Sequence, residues 1–222
     1  MPNSDAPAPR PFPLPCLRCL LCLLCAVCLW GLAACSGGSE EQITLLTGYD
    51  FGMRKSDVAS RAGAATCPDD AERLCRRQPT MLFKIYWEQR FRFKNDKLVA
   101  VELRHSNSKE VQATIDGWLD GGYRYMPMLV KSEGQELDIL AALRQYGKDV
   151  TRQAVRQFVK AMPLTATTTY IYGDFKRKNH LLTNARSHAD LMARAPRDFI
   201  LIEESVSDDA ISLTFRAPVA EK

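Results

Sequence analysis

The segment MLFKIYWEQRFRFKNDKLVAVEL, residues 81–103, carries the clearest structural pattern in the chain. Apolar and polar residues alternate over 81–93, which places one set of side chains on each face of an extended strand. Residues 94–97 supply a turn, and apolar residues then return with the same period of two. The pattern predicts an antiparallel hairpin with one buried face, interrupted by Gln89. We expect that face to contain Phe83, Ile85, Trp87, Phe91, Phe93, Val99, Val101 and Leu103.

Helical and extended patterns are mixed on both sides of this hairpin. Helical spacing predicts a helix after Ser108 and another ending at Gly147, and further strands are expected at 123–130 and 167–172. The chain closes with a predicted hairpin around 207–210. Because the elements do not alternate as βαβ units, the sequence predicts an α+β fold. We expect small antiparallel sheets with helices packed on one face, in two units at 48–132 and 133–222.

Composition limits the classes of function. The chain has 222 residues, of which 46% are apolar, with 30 Lys and Arg against 26 Asp and Glu. These values are typical of globular proteins and exclude collagen-like, coiled-coil and disordered classes. A net charge of +4 is too small to indicate a nucleic-acid binder, so we expect no nucleic-acid partner.

The N-terminus has the layout of an export signal. Arg10 and Arg18 precede an apolar run from Cys19 to Ala34, which is shorter than the roughly 20 residues a spanning helix needs. We therefore interpret 1–34 as a signal peptide that is removed. A ladder of cysteines at every third position imitates metal-ligand spacing, but its neighbours are apolar and the segment should be lost after export. These residues are Cys16, Cys19, Cys22, Cys25 and Cys28.

The apolar run ends in Leu32-Ala33-Ala34-Cys35, which resembles the lipobox of bacterial lipoproteins. The resemblance implies that Cys35 becomes the acylated first residue of the mature chain, with 35–47 as its tether. Two or three acyl chains, palmitate among them, anchor a protein stably where one would be marginal. In that family, Ser36 beside the cysteine favours the outer membrane. We therefore expect a lipid-anchored protein of the cell envelope that faces the periplasm.

Two cysteines, Cys67 and Cys75, lie beyond the predicted lipidation site at Cys35. An exported chain meets an oxidising compartment, so the pair is a disulfide candidate. The alternative, a reactive thiol pair, has neither a C-x-x-C spacing nor a neighbouring histidine to support it.

The first half also carries a family resemblance. The residues Gly52-Met53-Arg54-Lys55-Ser56-Asp57-Val58, the Trp87-containing strand and the return strand at 97–99 are similar to the BamE-type (SmpA/OmlA) envelope lipoproteins. The resemblance covers roughly residues 48–104 and implies a small α+β fold that binds other proteins at the outer membrane. Two features depart from the family, namely the inserted loop between Cys67 and Cys75 and the second half of the chain.

No catalytic or metal-binding pattern is present in the sequence. His105, His180 and His188 have no histidine or cysteine at ligand spacing, and no nucleophile elbow, phosphate loop or dinucleotide fingerprint occurs. We expect no cofactor, no metal and no enzymatic activity. An enzyme would require a pocket built from residues that are distant in sequence.

Charge is segregated in the second half. Between residues 144 and 186, nine basic residues face only Asp149 and Asp174. A spacing of four places several of the basic residues on one helix face. One interpretation is an ordinary solvated surface, and the other is a surface for anionic lipid, glycolipid phosphates or an acidic protein. The candidates are Lys148, Arg152, Arg156, Lys160, Lys176, Arg177 and Lys178.

A second candidate surface is the polar face of the first hairpin, where Tyr86, Arg90 and Arg92 lie. Tyr and Arg are enriched in protein interfaces, although a solvated strand carries them too. Together these patterns predict a membrane-tethered accessory module that binds an envelope protein. The alternative is recognition of an anionic lipid or glycolipid through the basic 144–186 region.

Overall fold

A computed structural model describes residues 44–46, 48–120, 125–175 and 179–218. The helices are α1 (Lys55–Ala62), α2 (Lys109–Asp120), α3 (Ile139–Ala161), α4 (Asn179–Asn184) and α5 (His188–Arg194). The strands are β1 (Thr44–Leu46), β2 (Tyr49–Asp50), β3 (Ala64–Cys67), β4 (Asp70–Arg76), β5 (Thr80–Leu82), β6 (Ile85–Lys94), β7 (Lys97–Ser106), β8 (Tyr125–Ser132), β9 (Gln135–Asp138), β10 (Thr168–Asp174), β11 (Leu201–Val206) and β12 (Ala210–Arg216).

Ten of these strands form one antiparallel sheet, in the order β3-β4-β6-β7-β12-β11-β10-β8-β9, with β5 paired to β6. The C-terminal strand β12 joins the two halves, because Phe215 lies opposite Val101 of β7 on one side and Ile202 of β11 on the other. The predicted α+β class is confirmed. The expectation of separate small sheets is corrected, since strands of both predicted units belong to this one sheet. The predicted border after residue 132 lies in the turn between β8 and β9.

The helices lie on both faces of the sheet. On one face, Val58 of α1 and Ile115 of α2 belong to the same buried cluster as Phe91 and Val101. On the opposite face, a second buried cluster contains Leu140 of α3, Leu191 of α5 and the strand residues Leu129, Ile171 and Leu201. Within each half the helices therefore pack on one face, but the two halves use opposite faces of the shared sheet. Three successive residues of β8, 128–130, are buried, and such a strand must be covered on both sides.

The predicted strand over 81–93 is divided into β5 and β6. Phe83 and Lys84 form the turn between them, with φ values of 54° and 64°. The indole Nε1 of Trp87 donates a hydrogen bond of 3.0 Å to the carbonyl of Leu82 and closes this small hairpin. The next turn, at residues 95 and 96, is where the sequence places it, and both of its residues have positive φ.

Two other local features complete the first half. Helix α1 follows Arg54 as its N-cap and ends before Gly63, whose φ of 58° suits glycine. The expected loop after it is instead the β3–β4 hairpin, and a disulfide joins Cys67 to Cys75 across that hairpin. The pairing proposed from the sequence thus agrees with the structure.

The predicted signal peptide, Cys35 and residues 36–43 and 47 of the predicted tether lie outside the described residues. Residues 44–46, which the tether prediction also includes, form strand β1. Within the described ranges, no helix is both long enough and apolar enough to cross a bilayer.

Candidate binding surfaces

Four of the predicted basic residues lie on helix α3, which bends. Helix α3 contains a kink at Gly147, whose φ of 78° and ψ of 177° are not helical. Thr151 is buried, and its hydroxyl donates a hydrogen bond of 2.7 Å to the carbonyl of Gly147. This bond joins the first turn after the kink to the residue at the kink. The segment 148–161 is therefore a second helix with its own two faces.

One face of this segment is partly covered and the opposite face is open. Ala154, Val155 and Phe158 are half-buried, whereas four basic side chains are exposed. We call these four residues the basic face, namely Lys148, Arg152, Arg156 and Lys160. Their positions extend over about 18 Å along the helix at 1.5 Å per residue.

The basic face is poorly neutralised. Arg152 lies 3.8 Å from Asp149, and no other ion pair to the four residues occurs within the described part of the chain. Arg144, upstream of the kink, has a different role, because its guanidinium donates to the carbonyls of Leu182, Thr183 and Ala185 and ties α3 to α4. Of the predicted basic candidates, Lys176, Arg177 and Lys178 lie outside the described residues.

The second predicted surface is less open than its sequence suggests. The Arg90 side chain is only 12% exposed and lies between Asp69 at 2.6 Å and Glu88 at 2.9 Å. Burial opposes its charge, but the two carboxylates outweigh that effect and raise the pKa of Arg90. The hydrogen bond from Arg90 in turn lowers the pKa of Asp69. This cation already has two partners within the chain, which leaves it little capacity for a ligand.

Tyr86 is different, since its side chain is 66% exposed. It borders a shallow depression of 420 Å³ together with Glu88, Arg104, His105 and Asp209. Glu88 lies opposite Arg104 in the sheet, and Arg90 lies opposite Glu102, so charges alternate across β6 and β7. We call this region the open sheet face, because no described helix packs against it. It contains Tyr86, Glu88, Arg90, Arg92, Glu102, Arg104, Ser212 and Thr214.

The histidines and cysteines form no metal site in the described residues. Cys67, Asp69 and Cys75 bring potential ligand atoms within 4.8 Å of one another, but both sulfurs are bonded in the disulfide. His105 packs edge-on against the ring of Trp87, with 5.8 Å between ring centroids. His188 begins α5, and its backbone N–H donates to Asp138, whose other carboxylate oxygen caps α3.

A second cavity, of 240 Å³, was not anticipated from the sequence. It lies where β1, β2, α1, β4, β5 and β6 meet, and two arginines, Arg61 and Arg76, reach it. Its lining residues extend from 46 to 89 without a recognisable spacing. The one sequence feature that pointed to this cavity was Gln89, a polar residue on an otherwise apolar strand face.

Comparison of the chain with family models gives no match, and comparison with curated proteins and with solved structures gives none either. The similarities to the lipobox at 32–35 and to BamE-type lipoproteins at 48–104 therefore stay predictions.

Proposed function

We propose that this protein is a lipid-anchored binding module of the bacterial cell envelope, whose basic face holds the folded region against anionic lipid head groups. Acylation at Cys35 supplies the anchor, and residues 36–43 connect that anchor to the folded region. The role proposed is binding, and no reaction is assigned to the molecule.

The observation that carries the proposal is the exposure of four cations on one helix, of which only Arg152 forms an ion pair with a described carboxylate. Near an anionic membrane, each Lys or Arg contributes about 1 kcal/mol of attraction, so the basic face would contribute roughly 4 kcal/mol. That attraction alone is modest. A lipid anchor raises the local concentration of the surface at the membrane, and the modest attraction then suffices to orient the protein.

The test is a competition between two vesicle populations of different density. One contains phosphatidylglycerol with phosphatidylcholine, and the other contains phosphatidylcholine alone. The anchored full-length protein partitions between them, and because the anchor is common to both, the ratio reports the electrostatic contact. The combined variant Arg152→Gln, Arg156→Gln and Lys160→Gln should reduce the preference for anionic vesicles by about tenfold or more.

A matched variant removes three exposed cations elsewhere, with Arg77→Gln, Lys97→Gln and Lys109→Gln. It has the same net charge and should keep the wild-type preference. The wild-type preference should also fade at about 0.5 M salt, where charges are screened within a few ångströms. An even distribution of the wild-type protein, or equal losses in the two triple variants, would refute the proposal.

A second candidate function is protein binding at the open sheet face. It is favoured by the exposed ring of Tyr86 beside the 420 Å³ depression. Tyr is enriched where proteins meet, since its ring supplies contact area and its hydroxyl a hydrogen bond.

A further inference from the structure

The 240 Å³ cavity combines an apolar lining with polar side chains. Leu46, Tyr49, Met81 and Leu82 form its apolar part. Arg61, Arg76, Thr80 and Gln89 form its polar part, and none of the described residues that line it is acidic. The cavity shares no residue with the basic face or with the open sheet face.

Both arginines reach the cavity without a carboxylate partner among the described residues. Arg76 donates to the hydroxyl of Thr80 at 2.9 Å and to Oε1 of Gln89 at 3.4 Å. Arg61 donates to the carbonyl of Gly48 at 2.6 Å and approaches the sulfur of Met53. A guanidinium has five N–H donors, so each arginine retains donors for a further acceptor. The site is therefore positively charged and rich in donors.

Gln89 is the third polar component. Its side chain is 1% exposed and lies between Trp87 and Phe91, which are fully buried on the same strand face. Its side-chain Oε1 accepts a hydrogen bond of 3.4 Å from Arg76. Because Gln89 lines the cavity, its side-chain N–H groups can donate to an acceptor bound there.

We propose that this cavity binds a carboxylate carried by a short apolar chain. The two oxygens of a carboxylate match the paired N–H groups of a guanidinium, and the apolar residues accept the chain beside it. Ligand pockets for drug-sized molecules usually hold about 300–1,000 Å³, so this smaller cavity suits a terminal group. The end of a short fatty acid and the C-terminal residue of a peptide both carry that chemistry.

The experiment is a calorimetric titration of the full-length protein in lipid nanodiscs with hexanoate, and separately with acetyl-Ala-Leu. Hexanamide and the amidated dipeptide are the uncharged counterparts. At least one carboxylate should bind with a dissociation constant below about 1 mM, and its amide should bind about tenfold or more weakly. Binding of hexanoate alone identifies the fatty-acid source, and preferred binding of the dipeptide identifies a peptide C-terminus.

Arg76→Gln should weaken the bound carboxylate by about tenfold or more, because a charge-assisted pair is lost. Its matched control is Arg77→Gln, which changes the next residue along the chain, an exposed one outside the cavity lining. Should Arg76→Gln fail to fold, Arg61→Gln on the exposed side of α1 tests the same charge. The Met81 methyl resonance should shift on addition of the ligand.

Three results would overturn the proposal. One is the absence of binding by either carboxylate, and another is equal binding by the amides. The third is an affinity that the Arg76 and Arg61 variants change no more than Arg77→Gln does. None of these results bears on the vesicle competition, so this proposal and the proposed function can fail separately.

Discussion

His188 shows how a single half-buried residue can set a pH dependence. Its Nε2 atom is buried without a described partner. Burial lowers the pKa of His188, and the nearby cations Lys131 and Arg216 act in the same direction, while Asp138 and Glu136 oppose them. Because the folded-state pKa lies below the unfolded value of about 6.5, the unfolded chain binds the proton more readily.

We therefore expect the stability of the protein to fall as the pH drops below about 6.5 towards the folded-state pKa of His188. His188→Gln should reduce that dependence, as measured by urea denaturation at neutral and at mildly acidic pH. His180→Gln is the matched control, since the His180 side chain is exposed, and it should behave as the wild type. The same loss of stability in all three proteins would show that another group is responsible.

Residue roles could be predicted where they depend on local context or compartment. The pairing of Cys67 with Cys75 could be proposed from the predicted export signal, and the structure contains that bond. The role of Arg90 could not be read in that way, because one of its carboxylate partners, Asp69, lies 21 residues upstream on another hairpin. The cavity at Arg61 and Arg76 could not be predicted from the sequence for the same reason, since only the tertiary structure brings its lining residues together.

At the level of elements, the kink in α3 depends on a conformation that only glycine adopts readily. Gly147 has φ 78° and ψ 177°, and a Cβ added there would meet no atom within 4 Å. Gly147→Ala should therefore destabilise the protein by about 1–3 kcal/mol through backbone strain alone.

The matched control is Gly117→Ala in the interior of α2, where an added Cβ also meets nothing within 4 Å. Because Gly117 lies within a regular helix, this change should stabilise the protein by about 0.5–1 kcal/mol. Thermal or urea denaturation of both variants measures the contrast. A Gly147→Ala protein as stable as the wild type would contradict this prediction, because it would show that α3 can lose the kink at residue 147 without losing stability.

Elements defined by local signals were predictable from the sequence, and those defined by pairing were not. Gly63 follows one helix and Ser187 precedes another, and these residue types are the ones that such helix ends favour. The break at residues 83 and 84 was missed, because a two-residue turn leaves the alternation of apolar residues in step on both sides. Strand β4 was missed because its polar sequence shows no alternation.

At the scale of the whole molecule, the sheet order is the feature that sequence reasoning could not supply. Strand β12 pairs with β7, about 110 residues earlier in the chain, and nothing in either strand specifies that partner. This one pairing turns two predicted units into a single sheet. It also leaves the helices of the two halves on opposite faces, with the open sheet face uncovered by any described helix.

The central claim is that the tethered molecule presents its basic face to anionic lipid. The most direct measurement is photocrosslinking in bacterial cells. One variant carries a photoreactive residue at Gln153, which is exposed beside Arg152 and Arg156, and a second variant carries it at Tyr86. Intact mass spectrometry then follows membrane extraction. The account predicts a chain that starts at acylated Cys35, with a lipid adduct from position 153. A chain retaining residues 1–34, or a protein adduct from position 86 with no lipid adduct from position 153, would contradict it.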